Sequence, residues 1–379
     1  MNHEIAIIGA GPAGSTAAIL LVQFGFDVCL IEKKTFPRDV LCGEFLSKEI
    51  IANLKELNLF NDFLNLKPNP INSFKIIDDS GVEVSTSLNF TAYGLKRSSF
   101  DNFLLMSAKD RGVKVYQPCE VIQISKDYNG YNIELKTRIS QAQKINAQYI
   151  IAGYGKRNYL DAKLNRKFVG CKSQLNGVKY HISKRMLKNF DNDQIQIYTS
   201  NGIYCGVNCV NDDQVTFCFL EDRRNSLRTP MQSINYLAER NEKFKLLFSA
   251  QLNDAFLTNR VYGAGDIYFG TRNKVENGIF MIGDAAQVIA PLAGDGISIA
   301  MDSAKLLANL FYEKKKKNLS DDELYVLYDS QWKEKFNKRL RIALFIQKVL
   351  FNRVGRKIGV EILKQVPKAL SYFVKSTRG

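Results

Sequence analysis

Histidine is almost missing: only His3 and His181 occur in 379 residues. A His-rich metal centre or a chain of imidazole relays therefore has no material, and no metal is expected. His181 reads as an ordinary surface or barrel residue rather than a general base. The seven cysteines, at 29, 42, 119, 171, 205, 209 and 218, are odd in number, widely spread and free of C-x-x-C pairs. They read as reduced thiols in a cytosol, not as zinc ligands or a disulfide frame. Long apolar runs are also lacking. No stretch reaches 18 residues, and "MNHEIAIIGAG" enters a strand directly instead of forming a basic, apolar leader. Neither secretion nor a membrane span is expected, which points to a cytoplasmic protein.

Positive charge is abundant but uneven. The formal net charge is +15, and residues 333–379 carry 13 Lys or Arg against two Glu, so +11 of it lies in the tail. No aromatic platform or nucleic-acid module accompanies it, so no nucleic acid is expected as a partner. The last stretch looks helical, with Leu340, Ala343, Leu344, Leu350, Phe351, Val354 and Ile358 mostly on one face and a basic opposite face. It reads as a C-terminal cap with a solvated face, or as a peripheral attachment to an anionic membrane surface on the inner face. Lys314–Lys317 form the one low-complexity patch, a solvated helix end or linker. Oligomeric state has no sequence signal.

The N-terminus has the order a dinucleotide site requires. Ile5–Ile8 make a buried-strand run, Gly9, Gly11 and Gly14 fill a G-x-G-x-x-G frame around Pro12 and Ala13, and Ala13–Phe24 are helical in character. Gly9 permits the tight turn, Gly11 clears the approach of a pyrophosphate, and Gly14 lets helix and strand pack closely. A second strand, Asp27–Ile31, ends on Glu32, beside Lys33. That carboxylate suits both hydroxyls of an adenosine ribose and disfavours a 2'-phosphate. The segment alone fits FAD and NAD equally.

Residues 277–311 repeat the strand, turn and helix order. Ile279–Ile282 form the strand, Gly283-Asp284 its exit, and Gly294-Asp295-Gly296 the entrance to a helix that continues through Ile297. Together with the first frame, this resembles the paired signature of FAD enzymes of the aromatic-hydroxylase and geranylgeranyl-reductase superfamily. The resemblance implies that Asp284 binds the ribitol and that Pro291, Gly294 and Gly296 border the isoalloxazine. It also implies, from the R-x-x-F-D-x-x-L match "RSSFDNFL", that Arg97 lies close to the cofactor. The implied fold is α/β: a Rossmann-like FAD-binding domain of the GR2 type, an inserted and mainly antiparallel β substrate domain, and a C-terminal helical region. The expected boundaries are 1–68, 96–165 and 259–312 for FAD, 69–95 and 166–258 for substrate, and 313–379 for the basic helical region. Asp-Ser-Gly at 79–81 and Asn129-Gly130 mark hairpins within this scheme.

Local spelling bears on the reaction. "FPRDVLCGEFLS" resembles the F-P-R-x-K-x-C-G-(G/E/D) segment of geranylgeranyl-reductase-like proteins, and "GDGISIAMDSA" resembles their G-E-G-I-x-x-A-M-x-S-G. The resemblance therefore implies FAD-dependent reduction of carbon–carbon double bonds in a hydrophobic substrate, of prenyl, polyketide or phenolic-lipid type. Oxygen-dependent hydroxylation is the alternative, and an FAD-binding protein without turnover is a third. Halogenation is excluded by the missing W-x-W-x-I-P, since Trp332 is the only tryptophan. Tyr204 and Gly206 stand where the reductases have Y-x-W-x-F-P. Where hydroxylases carry A-D-G-x-x-S, this chain has "AGYGKR", with Tyr154 at the acid position; NAD(P)H or another electron donor is expected. Cys42, Gly43, Glu44 and Tyr204 are the candidate catalytic group. Cys42 reads as a contact with flavin or substrate, Gly43 as a point of close approach, and Glu44 as a helix cap near Ser47 or a cofactor ligand.

Overall fold

Four consecutive apolar residues, Ile5–Ile8, are all buried, and they place the first strand in the middle of a sheet rather than at its edge. The computed structural model describes residues 1–137, 143–188, 190–224, 227–249, 251–257, 259–291, 294–366 and 370. The chain begins β1 (Asn2–Ile8), α1 (Pro12–Gln23) and β2 (Val28–Ile31). Gly9 turns the backbone at φ +100°, and a Cβ on Gly14 would lie 1.8 Å from the Gly9 carbonyl oxygen. Only glycine allows α1 this close to β1.

A two-residue strand, β3 (Phe45–Leu46), follows, then α2 (Lys48–Glu56) and α3 (Phe60–Leu64). The Asp-Ser-Gly turn joins β4 (Asn69–Ile77) to β5 (Glu83–Gly94), and α4 (Arg97–Asp110) leads to β6 (Lys114–Tyr116). Asn129 and Gly130 sit at the bend of β7 (Glu120–Asp127) and β8 (Gly130–Lys136), which precede β9 (Gln143–Ala152) and α5 (Tyr159–Lys163). Then come β10 (Leu175–Ser183), β11 (Gln194–Ser200), β12 (Ile203–Cys209) and β13 (Gln214–Asp222), the helices α6 (Pro230–Arg240), α7 (Glu242–Leu246) and α8 (Leu252–Leu257), and β14 (Tyr262–Ala264). The chain ends with β15 (Val275–Glu276), β16 (Ile279–Met281), α9 (Gly296–Lys317), α10 (Asp321–Phe351) and α11 (Arg353–Gln365).

These strands make two sheets. The first runs β15-β16-β9-β1-β2-β6, with β7 and β8 attached to β9, and its central pairs β1·β2, β1·β9 and β16·β9 are parallel. The second runs β14-β10-β13-β12-β11-β4-β5-β3 and is antiparallel except where β11 meets β4. The fold class expected from the sequence is thus present. Phe45–Leu46 and Tyr262–Ala264 also belong to the second sheet, outside the expected 69–95 and 166–258.

The C-terminal region differs from a single amphipathic rod. Asn352 ends α10 and caps α11 by accepting a hydrogen bond from the Gly355 N–H, 2.8 Å away. That break changes the helical phase. Leu340, Ala343 and Leu350 are buried as expected, whereas Val354 and Ile358 are exposed, and Arg356 and Val360 take the inner face instead. Lys314–Lys317 form the solvated last turn of α9. The Arg356 guanidinium is buried against Asp78 at 2.5 Å and Asp79 at 2.7 Å, which pins α11 to the end of β4. Removing one member of such a group strands the others without solvent. Arg356→Ala is expected to cost about 3–5 kcal/mol of stability in urea denaturation; a loss below about 1 kcal/mol would mean that α11 is not held by this contact.

Candidate functional site

A cleft of about 780 Å³ is lined by residues of both sheets. Its walls include Gly9, Gly11, Pro12, Ala13, Glu32, Lys33, Arg97, Gly283, Asp284, Pro291, Gly294, Gly296 and Ile297, and also Cys42, Gly43, Glu44 and Tyr204. Every site residue read from the sequence is there except Gly14, which supports the turn from behind.

The glycine frame forms one end. A Cβ added to Gly11 meets only the Arg38 guanidinium, at 3.9 Å, so the frame leaves open space beside α1's N-terminus. Glu32 is buried and aimed by two N–H donors, Ala10 at 2.9 Å and Lys34 at 2.8 Å. Arg38 donates to Asp101 at 3.0 Å, and Arg97 grips the same carboxylate with two bonds of 2.7 and 2.8 Å. Burial works against the Arg97 charge, but Asp101 outweighs it and holds the guanidinium protonated. Lys33 is more exposed, 4.0 Å from Glu120.

The turn at 283–287 packs beside this frame: a Cβ added to Gly283 would lie 3.0 Å from the Ala13 Cβ. Three buried cations hold its successive carbonyls: Arg272 donates to Asp284 O at 2.9 Å, Arg166 to Ala285 O at 2.9 Å, and Lys274 to Ala286 O at 3.1 Å. Asp161 balances Arg166 at 2.9 Å. Burial draws Lys274 down to about 7 and Arg272 to about 10. The three side chains fix the backbone of the turn and leave Gly283 and Asp284 on the cleft wall. Gly294 bends at φ +64° and donates to Pro291 O at 2.9 Å, and the Asp295 cap of α9 is paired to Arg339 of α10 at 2.8 Å. Tyr154, at the altered acid position, donates to Asp161 at 2.6 Å.

Cys-Gly-Glu lines the same cleft. Glu44 is fully buried at φ +58°, a conformation rare for a side chain larger than glycine. It does not cap the helix at Ser47: its carboxylate points across to the second sheet, while the residue itself stays on the cleft wall. Oε1 accepts from Lys179 Nζ at 2.8 Å and from the Arg97 N–H at 2.9 Å. Oε2 bonds His181 Nε2 at 2.6 Å and also accepts from the Thr216 hydroxyl. Burial alone pushes this carboxyl up, but the His181 hydrogen bond and the nearby Lys179 charge hold it at about 2. The Glu44 N–H in turn donates to Cys42 Sγ at 3.3 Å, fixing a half-buried thiol on the cleft wall. Tyr204 lies on β12, buried, with its ring stacked on Phe351 at 5.8 Å.

His181 is therefore a partner of the central carboxylate rather than an ordinary barrel residue. The ligand atoms of Asp39, Glu44 and His181 lie within 4.8 Å of one another, but the Lys179 ammonium stands beside both carboxylates, 2.8 and 3.6 Å away, and supplies the positive charge.

A sequence profile described as the FAD binding domain matches residues 2–324. The chain belongs to this FAD-binding family. Digeranylgeranylglycerophospholipid reductase of Methanococcus vannielii is 21% identical over 413 residues, spanning 98% of this chain and 97% of the relative. A solved geranylgeranyl bacteriochlorophyll reductase-like protein from Thermoplasma acidophilum superposes with TM-score 0.73 at 20% identity, covering 92% and 88% of the two chains. The flavin-dependent brominase Bmp2 superposes with TM-score 0.78 at 18% identity, covering 100% and 93%. At these identities the superpositions show the fold. The FAD-binding family and the geranylgeranyl-reductase-like resemblance thus agree with the motifs, and the chain is an FAD-dependent oxidoreductase.

The residues fit the cofactor of the family: an open glycine cradle, an oriented acid at Glu32, and cations around both turns. Sequence reasoning missed Arg38, although it stands in the quoted "FPRDVLCGEFLS". It also missed Arg166, Arg272 and Lys274, whose partners are carbonyls, and Lys179, His181 and Thr216, whose partner is more than 130 positions away.

Two outcomes follow from this geometry. Gly11→Val fills the cradle while touching little protein, so FAD affinity falls by about tenfold or more in a flavin fluorescence titration and the apoprotein melts normally. Glu44 has an ordinary value of 4.5 and a folded value of about 2, so its stabilisation is complete above pH 4.5 and fades as pH falls towards 2. Glu44→Gln should therefore melt well below the wild type at pH 7, with the gap narrowing below pH 4.5. A gap independent of pH would contradict the ionised clamp.

Proposed function

We propose that this protein uses FAD to reduce carbon–carbon double bonds in a hydrophobic, lipid-like substrate, with NAD(P)H or another donor supplying the electrons. The observation that carries this reading is the convergence in one cleft of the cofactor cradle, the Cys42–Glu44 turn and an apolar wall of Leu41, Phe74, Ile195, Ile197, Leu220 and Val288. The names of the archaeal reductase and the Thermoplasma protein support the same substrate class. FAD, when bound, supplies two-electron hydride chemistry.

The chain's own residues do the rest. Gly9, Gly11, Pro12, Ala13 and Arg38 receive the pyrophosphate, Glu32 and Lys33 the adenosine end, Asp284 the ribitol, and Pro291, Gly294, Gly296 and Ile297 the ring edge. Arg97 is positioned through Asp101 and Glu44. The apolar wall and Tyr204 exclude water and hold a hydrocarbon chain. A Cβ on Gly43 meets nothing within 4 Å, which leaves room for substrate beside Cys42. Glu44 is held ionised and has no proton to give near neutral pH, so it acts as a positioning residue. Cys42 is the thiol placed to touch the substrate and deliver the proton that completes saturation. We assign 1–68, 96–165 and 259–312 chiefly to cofactor binding and the second sheet to substrate. The exposed basic face within the described part of 333–379 is taken to meet an anionic membrane surface from the cytoplasmic side, and no role with nucleic acid is proposed.

The decisive experiment is a single turnover of the photoreduced enzyme with prenyl and phenolic lipids, with and without oxygen. Saturated product without oxygen is expected. Product formed only with oxygen and carrying labelled oxygen would install the hydroxylase reading, and a yellow protein never bleached by NADH, NADPH or a ferredoxin-type donor would favour the non-catalytic one. Cys42→Ala should keep its FAD and lose turnover by about a hundredfold; unchanged turnover would return Cys42 to a spacer.

A further inference from the structure

Three apolar side chains lie in a row on the outside of α11, and a fourth, Val366, follows at its C-cap. Val354 is 65% exposed, Ile358 57%, Ile362 53% and Val366 51%. The spacing of four sets them one above another along the helix. Such a row is not the loose end of a core. Arg356 and Val360 occupy the opposite face and are buried, and the Arg356 contacts with Asp78 and Asp79 prevent α11 from rolling its outer row inward. Four contiguous exposed aliphatics mark a contact surface.

The surrounding charge selects the occupant. Arg353, Lys357 and Lys364 are exposed along one flank, with Glu361 the one exposed acid of the helix. An aliphatic row beside a row of cations is the pattern of a helix lying in the interface plane of an anionic bilayer. A second copy would bring the same cations against themselves. The chain beyond Val366 adds Lys368, Lys375 and Arg378 to the same sign.

The inner face of this helix packs on the apolar cluster behind the cleft. Val360, Ile346 and Leu350 belong to one apolar cluster with Ile197, Tyr204, Leu220 and Val288, which line the cleft. α11 thus packs, through Val360, on the cluster that backs one wall of the cleft.

We propose that α11 docks on an anionic lipid surface through the Val354–Ile358–Ile362–Val366 row, with Arg353, Lys357 and Lys364 on the headgroups, setting the apolar wall of the cleft next to the bilayer. The docking surface stands on its own geometry; its role in substrate entry rests on the lipid-like substrate proposed above.

The test uses the full chain loaded with FAD, co-sedimented with phosphatidylcholine vesicles and with vesicles that also contain phosphatidylserine. Strong binding to the anionic vesicles is expected. Ile358→Glu with Ile362→Glu should weaken it by about a hundredfold, and Lys357→Gln and Lys364→Gln by about fivefold each, with the flavin spectrum and melting curve unchanged. Binding unaffected by the Glu pair, or no vesicle binding by the wild type, overturns the proposal. So does a dimer, seen by light scattering, that the Glu pair dissolves, since the occupant is then a second copy. A short-chain, water-soluble alkene separates the two readings. Normal turnover of it without vesicle binding defeats only the docking surface, and vesicle binding without its reduction defeats only the chemistry.

Discussion

The buried carboxylate of Glu44 holds the two halves of this molecule to each other. It leaves the first half on a turn at positive φ and ends among Lys179, His181 and Thr216 of the second sheet, with the Arg97 N–H as a fourth donor. A lone buried carboxylate is costly, and four donors around one make it a strong constraint. Cys42 and Arg97 both take their positions from it. The cleft wall therefore depends on a contact between segments far apart in the chain.

A second electrostatic arrangement serves the cofactor turn. Arg166, Arg272 and Lys274 spend their donors on consecutive carbonyls, and only Arg166 has a close acid. The three side chains thereby fix the backbone of the turn beside the glycine cradle. Burial draws Lys274 down to about 7, and its amine is held by the Arg272 and Ala286 carbonyls and by Gln287. Lys274 also lies 3.8 Å from the Trp332 ring, and Arg339 reaches the cap of α9, so α10 supports the same end of the site.

What the sequence revealed follows from how local each feature is. The glycine frame, Glu32 and the turn at Asp284 are fixed by neighbours within a few residues, and their residue types state the backbone shape they need. Hairpins at 79–81 and 129–130 were legible for the same reason. Glu44 was legible as unusual but not as a clamp, because Lys179 and Thr216 lie 135 and 172 positions away. His181 looked ordinary because a single imidazole carries no pattern. The apolar spacing of the tail predicts one helix with one stripe; Asn352, a good capping residue, is the local sign of the break that turns Val354 and Ile358 outward.

The central claim is that Glu44 and His181 act as one unit across the two sheets and set the cofactor site. A double-mutant cycle on Glu44→Gln and His181→Gln, read in both urea stability and FAD dissociation constant, tests it most directly. The account predicts a coupling energy above about 1.5 kcal/mol in stability and a non-additive loss of FAD affinity. Effects that add to within about 0.5 kcal/mol in both readouts would contradict it.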